Sequence, residues 1–195
     1  MSLLNRGRAS SIVSAGMDLV GRQSDRGLLR GIWRCQHFRP RLFIKGIIRA
    51  PALLYDELSR NLITNAGLDE LLDVGLSHAA TQANWYMSLK DTGAPAAGDT
   101  MASHAGWATI SPYSNANDPE WSDAGISSQS VDNSGSTADF TINETDEVFG
   151  AFLKDNNTVD SSSGLLFSST DFSSSRNVIS GDTLKVTATF TMADS

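Results

Sequence analysis

The sequence predicts a mainly β protein: an antiparallel β-sandwich of jelly-roll-like character, with one short helix and an extended basic N-terminal arm. Three observations predict it. Beyond residue 80 the apolar residues come in short runs that alternate with polar ones, the period of a half-buried strand. The turn-forming groups Gly98-Asp99, Asp118-Pro119, Asn133-Ser134-Gly135 and Gly181-Asp182 punctuate those runs. No helical pattern recurs between the strands, so a parallel α/β architecture lacks the helices it needs.

Charge divides the chain as sharply as pattern does. Residues 1–50 hold ten of the fifteen Lys and Arg but two of the 22 acids, a +8 segment joined to a −15 remainder within a formal total of −7. A basic arm on an acidic, strand-rich body suits a chain that bridges two different surfaces. Length allows one ordinary domain plus an extension. The expected division is a basic arm over residues 1–30, an extended anchoring segment over 31–60 and the sandwich body over 61–195, with the helix near its start. A single cysteine, Cys35, excludes an internal disulfide and any zinc site built on several cysteines. The longest apolar candidate, residues 42–54, is broken by Lys45, Arg49 and Pro51, so no membrane-spanning helix is expected. Asp18 and Asp25 interrupt the N-terminus, and a secretory leader is not expected.

Taken in order, residues 11–20 carry Ile12, Val13, Gly16, Met17 and Val20 near one helical face. Gly16 weakens this helix by about 1 kcal/mol relative to alanine, and so short a helix orders only against a partner. Residues 31–60 read as extended pieces cut by Pro40, Gly46 and Pro51, with bases interleaved among Ile32, Trp33, Phe38, Leu53, Leu54 and Leu58. Two readings of this segment stand level. It lies in a groove of another protein, or it forms two strands of the body with a solvated basic face. Under the first, the anchoring residues are Arg22, Arg26, Arg30, Trp33, Arg34, Phe38, Arg39, Arg41, Lys45 and Arg49.

Residues 61–76 predict the helix. Thr64 or Asn65 caps its start, Asp69 and Glu70 favour the positive end, and Gly75 suits the stop. Leu68, Leu71 and Leu72 are expected on its buried side, with Asp69, Glu70 and Asp73 toward water. Strands are expected around 85–89, 138–142, 148–153 and 183–192. Residues 148–153 are apolar on both faces and suit a central strand, while Leu184, Val186, Ala188, Phe190 and Met192 share one face of the last. Residues 161–175 are serine-rich, yet Leu165, Leu166, Phe167 and Phe172 argue for a strand with polar flanks rather than a linker.

The sequence carries few signals of chemistry. His37, His78 and His104 stand in no metal-binding or metalloprotease spacing, and no Gly-x-Ser-x-Gly turn presents a nucleophile. Residues 155–160 offer oxygen ligands, but Val159 and Asp160 replace the ligand and glycine that an EF-hand needs, so an acidic turn is expected. Asp69 and Asp73 read as a solvated helix face. No catalytic residues, metal or cofactor are expected. The arm is compatible with nucleic acid, a contact that the acidic body confines to the arm. Trp107, Tyr113 and Trp121 either stack on sugars or pin a long loop to the sandwich.

Residues 61–74, together with Trp85-Tyr86-Met87-Ser88-Leu89-Lys90-Asp91, resemble a family of small tailed-bacteriophage virion proteins. The likeness continues through residues 98–107, Pro119-Glu120-Trp121, Phe140-Thr141-Ile142-Asn143, Gly150-Ala151-Phe152-Leu153 and Ser180-Gly181-Asp182-Thr183-Leu184-Lys185-Val186. It spans roughly residues 60–192 and does not extend upstream of Gly31. The resemblance implies a structural component of a virion, and no catalytic residues transfer with it. A capsid decoration or minor head protein, anchored by its basic N-terminal region, is the leading expectation. A head-tail connector, a fibre-docking tail protein and a carbohydrate-binding adhesin are the alternatives. The implied partners are other virion proteins, major capsid or portal and tail, with further copies of the chain in a homo-oligomer and no membrane.

Overall fold

The computed structural model describes residues 29–41, 50–77, 80, 82 and 84–192. In chain order the elements are β1 (Leu29–Arg39), β2 (Ala52–Ile63), α1 (Asn65–Leu76), β3 (Tyr86–Lys90), β4 (Thr109–Ile110), β5 (Ser130–Asp132), β6 (Ala138–Thr141), β7 (Asp146–Lys154), β8 (Leu166–Val178) and β9 (Thr183–Met192). Every pairing is antiparallel, in the order β4-β3-β7-β8-β2-β1-β9-β5, and β6 lies beside the first half of β9. The mainly β, antiparallel class expected from the sequence is the class observed.

The seam of the fold is β2. Residues 52–60 pair with β1, whereas Asn61, Leu62 and Ile63 pair with β8, so one strand serves two parts of the sheet. Trp33 and Cys35 of β1 and Val186, Ala188 and Phe190 of β9 share a core with Met87, Leu89, Ala151, Leu153 and Phe172 from the other half. Phe167 of β8 meets Phe190 of β9 edge to face, with ring centroids 5.3 Å apart. The alternation read from residues 183–192 holds through Phe190: Leu184, Val186, Ala188 and Phe190 are buried and the intervening residues half-exposed, but Met192 at the strand's end is exposed. Strand β7 is central and buried on both faces. Ala151 and Leu153 enter the main core, while Phe152 joins Met101, Trp107 and Leu166 in a second cluster on the opposite side.

Helix α1 starts as its sequence predicts. Thr64 is the N-cap, accepting a hydrogen bond from the Gly67 N–H at 3.0 Å, and its hydroxyl donates to the backbone carbonyl of Leu166 on β8. A Cβ on Gly67 would come within 2.3 Å of the Phe167 carbonyl oxygen, so glycine allows the helix to sit directly on β8. That close approach corrects the expected buried face. Gly67 and Leu71 turn inward, leaving Leu68, Leu72 and Leu76 as an exposed stripe, Leu72 at 57 % and Leu76 at 75 %. The helix also runs one residue past Gly75 and is closed by Ser77.

Within the segment 31–60, residues 31–39 and 52–60 are strands of the body, the second of its two readings, and residues 42–49 lie outside the described residues. Strand β1 pairs with β2 on one edge and β9 on the other, and β2 runs through the boundary expected at 60/61. The expected helix at 11–20 and most of the arm lie outside the described residues.

Candidate partner-binding surface

The pleat gives β1 and β2 two faces of opposite character. Trp33, Cys35 and His37 point into the core, so Ile32, Arg34 and Gln36 point out. The register places Arg60 opposite Ile32, Leu58 opposite Arg34 and Asp56 opposite Gln36, and β9 adds Thr189, Thr187 and Lys185 along the other edge. Leu58 is 66 % exposed and Ile32 nearly half-exposed although both stand at regularly paired positions, and Leu54, also exposed, is the extra residue of the bulge opposite His37/Phe38. Arg34 grips Asp56 through Nε at 2.7 Å and Nη2 at 2.5 Å, and Gln36 reaches the same carboxylate at 3.2 Å. The hydrogen bond from Arg34 holds the Asp56 carboxyl below the usual carboxylate range, and the same bond raises the guanidinium further. An exposed pair of this kind fixes the shape of the surface more than it stabilises the fold. Arg30 and Arg60, both exposed, form no ion pair among the described residues.

The inner face carries the charges that a soluble strand ordinarily turns to water. Beyond Asn61 the strands β2 and β8 part, and Glu57 fills the opening. It accepts from the backbone N–H and the hydroxyl of Ser173 and pairs with the buried guanidinium of Arg176. Arg176 lies 4.5 Å over the Tyr55 ring, which in turn stacks on His37 with centroids 6.0 Å apart. His37 Nε2 stands 2.7 Å from Asp182, and Arg39 holds the same carboxylate through Nε at 2.9 Å and Nη2 at 2.7 Å. Burial pushes the Asp182 carboxyl up. Hydrogen bonds from Arg39, His37 and the Ile179 N–H outweigh that, leaving it below its ordinary value. An ionised carboxylate only accepts, so Nε2 is the donor in this bond.

The predicted anchor residues therefore separate. Arg30 and Arg34 meet on the outer face, Arg41 is exposed beyond the end of β1, and Phe38 is half-buried after the bulge at His37/Phe38. Trp33 is fully buried, which corrects its assignment as an anchor: β1 has a strand on each edge, so its inward side chains form the core. Arg39 is likewise spent on Asp182. Arg22, Arg26, Lys45 and Arg49 lie outside the described residues. Sequence reasoning did not assign Ile32, Leu54, Leu58 and Arg60 to the surface. The available signal was parity, since Trp33, Cys35 and His37 as one face force Ile32 and Arg34 onto the other.

The remaining candidates are structural fittings. The rings of Trp107, Tyr113 and Trp121 are buried, which removes them as exposed sugar platforms. Trp107 donates to Asp99 at 2.9 Å and stacks on His104, and Trp121 donates to the Ala188 carbonyl at 3.1 Å. The Tyr113 hydroxyl donates to Asp118, whose other oxygen lies 2.8 Å from the buried Lys154 ammonium. Burial pushes the acid of both Tyr113 and Asp118 upward. The Cys35 thiol, also by burial, is pushed up to about 12, far from the thiolate a nucleophile needs. In the acidic turn, Asp155 accepts from the Leu165 N–H at 2.8 Å and Asp160 from Ser111 at 2.7 Å. Among the described residues no cluster of three or more His, Cys, Asp or Glu is arranged to hold a metal, and no helix is long and apolar enough to cross a membrane. No protein-family model, no curated protein and no solved structure matches this chain.

Proposed function

We propose that this chain is a non-enzymatic structural component of a tailed-bacteriophage particle, a capsid decoration or minor head protein. Its basic N-terminal region docks it on the shell, and the folded part of that region is the outer face of β1 and β2. The observation that carries this reading is the pair of apolar side chains Ile32 and Leu58, left in water on regularly paired strands and framed by Arg30, Arg34 and Arg60, with Leu54 exposed further along at the bulge. A monomer gains nothing from such a face, whereas a partner with apolar patches and acidic groups would bury the leucines and pair the arginines.

Two further features support it. The residues that carry the virion-protein resemblance sit at packing positions: Thr64 caps α1, Gly67 lets it touch β8, Trp107 and Trp121 pin loops, and Asp182 binds two β1 side chains. Motifs of that kind belong to a scaffold. The second is that the patch is small, so one contact is weak, and repetition of copies on a symmetric shell makes weak contacts durable.

Quantitative protein gels of purified virions test the reading. Hundreds of copies per particle are expected for a head decoration, on the order set by shell symmetry. About a dozen copies or fewer would move the protein to a connector or tail position, and its absence from the particle would overturn the proposal. In the full chain, Leu58→Asp combined with Arg34→Glu is expected to abolish binding to particles that lack the protein.

A further inference from the structure

Away from the outer sheet face, one pair of opposite charges is sealed from water under the 111–121 segment. Lys154, the last residue of β7, and Asp118 expose none of their side-chain surface, and Nζ lies 2.8 Å from Oδ2. Each partner is held by other bonds. Lys154 Nζ donates to the Thr158 carbonyl at 2.7 Å, and the Tyr113 hydroxyl donates to Asp118 Oδ1, with the buried Ser88 hydroxyl 3.3 Å behind it. Backbone bonds clamp the aspartate from both sides: its N–H donates to the Asn157 carbonyl at 2.9 Å, and the carbonyl of Pro119 accepts from the Met87 N–H of β3 at 2.8 Å. Oδ2 is left over. It faces Nζ at contact distance, yet no described residue gives it an aligned hydrogen bond. Burying two full charges is unfavourable beyond what their attraction offsets, and moving one proton between them neutralises both. Burial pushes the Asp118 carboxyl upward, the direction that favours its taking that proton. An amine and a carboxylic acid are then held together by the fold in a site without water.

We propose that Lys154 and Asp118 join in an intramolecular isopeptide bond, formed in the folded chain without a cofactor. One proton passes from Nζ to Oδ2, and the freed nitrogen lone pair attacks Cγ. Tyr113, whose O–H already points at Oδ1, stabilises the negative charge that develops there. A second Nζ proton then moves to Oδ2, the Cγ–Oδ2 bond breaks and one water leaves. A C–N bond replaces a C–O bond with no change of oxidation state. Pro119 narrows the outcome. The ordinary dehydration of an aspartate cyclises onto the N–H of the next residue, which proline lacks, leaving Lys154 as the nitrogen in contact with Asp118. The product ties the 111–121 segment to β7 and closes residues 118–154 into a covalent ring, a constraint that survives unfolding. None of these residues belongs to the β1–β2 face, so this proposal and the docking proposal stand or fall separately.

Tryptic peptide mapping of the full chain by mass spectrometry tests it. No Lys or Arg lies between residues 90 and 154 or between 154 and 176, so an unmodified chain yields the peptides 91–154 and 155–176. With the Lys154 amine acylated, trypsin is expected to leave a single peptide, 91–176, lighter than its sequence by one water. Lys154→Arg keeps the charge but removes the amine. It is expected to restore cleavage after position 154 and the full mass. Tyr113→Phe is expected to slow the loss of water at least about tenfold, followed from the moment of cell-free synthesis. A full-mass 91–154 peptide as the main product, from wild-type protein that near-ultraviolet circular dichroism shows to be folded, would overturn the proposal. So would a loss of water that leaves cleavage after Lys154 intact, because the dehydration then lies elsewhere. Closure of Tyr113→Phe at the wild-type rate would overturn the part given to Tyr113.

Discussion

The inner and outer faces of β1 and β2 invert the usual arrangement of a surface strand. Inside, Glu57 and Arg176 form an ion pair between two sheet halves, and His37 and Arg39 converge on Asp182. Outside, Leu58 stands in water diagonally across from Ile32, and Leu54 stands in water further along at the bulge. The difference teaches that the two faces answer to different demands. The inner charges close an opening that backbone pairing cannot reach, since β2 and β8 bond only at residues 61–63. The outer leucines add nothing to the isolated fold, which is why they point to a partner.

Removing a member of the inner network has the largest expected effect. Arg176→Leu leaves the largely buried Glu57 without its cation and is expected to destabilise the protein by about 3 kcal/mol, measured as a shift in the urea midpoint. The double variant Glu57→Leu/Arg176→Leu should recover much of that loss, because two apolar groups no longer strand a charge. Should the single variant unfold at the wild-type midpoint, Glu57 is solvated and the ion pair does not hold the two sheet halves together.

Asp182→Asn comes next, at about 2–3 kcal/mol, through loss of charge-assisted bonds to Arg39 and His37. Here pH supplies an independent reading. Because the folded pKa of Asp182 lies below its ordinary value, its contribution is complete above about pH 4 and is lost as pH falls through that lower value. The variant should therefore lose less stability than the parent between pH 4 and pH 2, and an equally steep acid limb would contradict the assignment.

Thr64→Ala is expected to cost about 1 kcal/mol as a lost cap. Hydrogen exchange should report the loss as faster opening of α1, with β1 unchanged. Leu58→Asp is the smallest change in stability, within about 0.5 kcal/mol, and the most informative for function. It should leave the urea midpoint in place while weakening attachment to particles at least about tenfold. A drop in stability as large as that of Thr64→Ala would mean that Leu58 packs against its own fold, and the contrast between the faces would fail.

Much of the scaffold was legible because it rests on local signals. Strand β9 announces itself by strict alternation, β7 by apolar residues on both faces, and the start of α1 by the capping residues Thr64 and Asn65. The serine-rich β8 was legible through its interleaved Leu and Phe residues. The buried face of α1 was not. Leucines at 68, 71 and 72 look like the core side, but contact with β8 is made by the smallest residue available, Gly67, whose lack of a side chain gives no signal in an apolar pattern. The partner surface was half legible. Its arginines stand out in the charge split, yet Trp33 and Arg39 belong to the same basic stretch and go inward.

By itself the sequence determined the strand-rich class, the helix start and the concentration of positive charge ahead of residue 50. Tertiary structure alone decided which side of β1 and β2 meets water. A pleated strand offers two faces by parity, and the choice between them is made by what lies across the sheet. Here that is β8 and the turn that leads into β9, more than 100 residues further along, whose Arg176 and Asp182 draw Glu57, His37 and Arg39 inward and so turn Ile32, Arg34 and Leu58 outward.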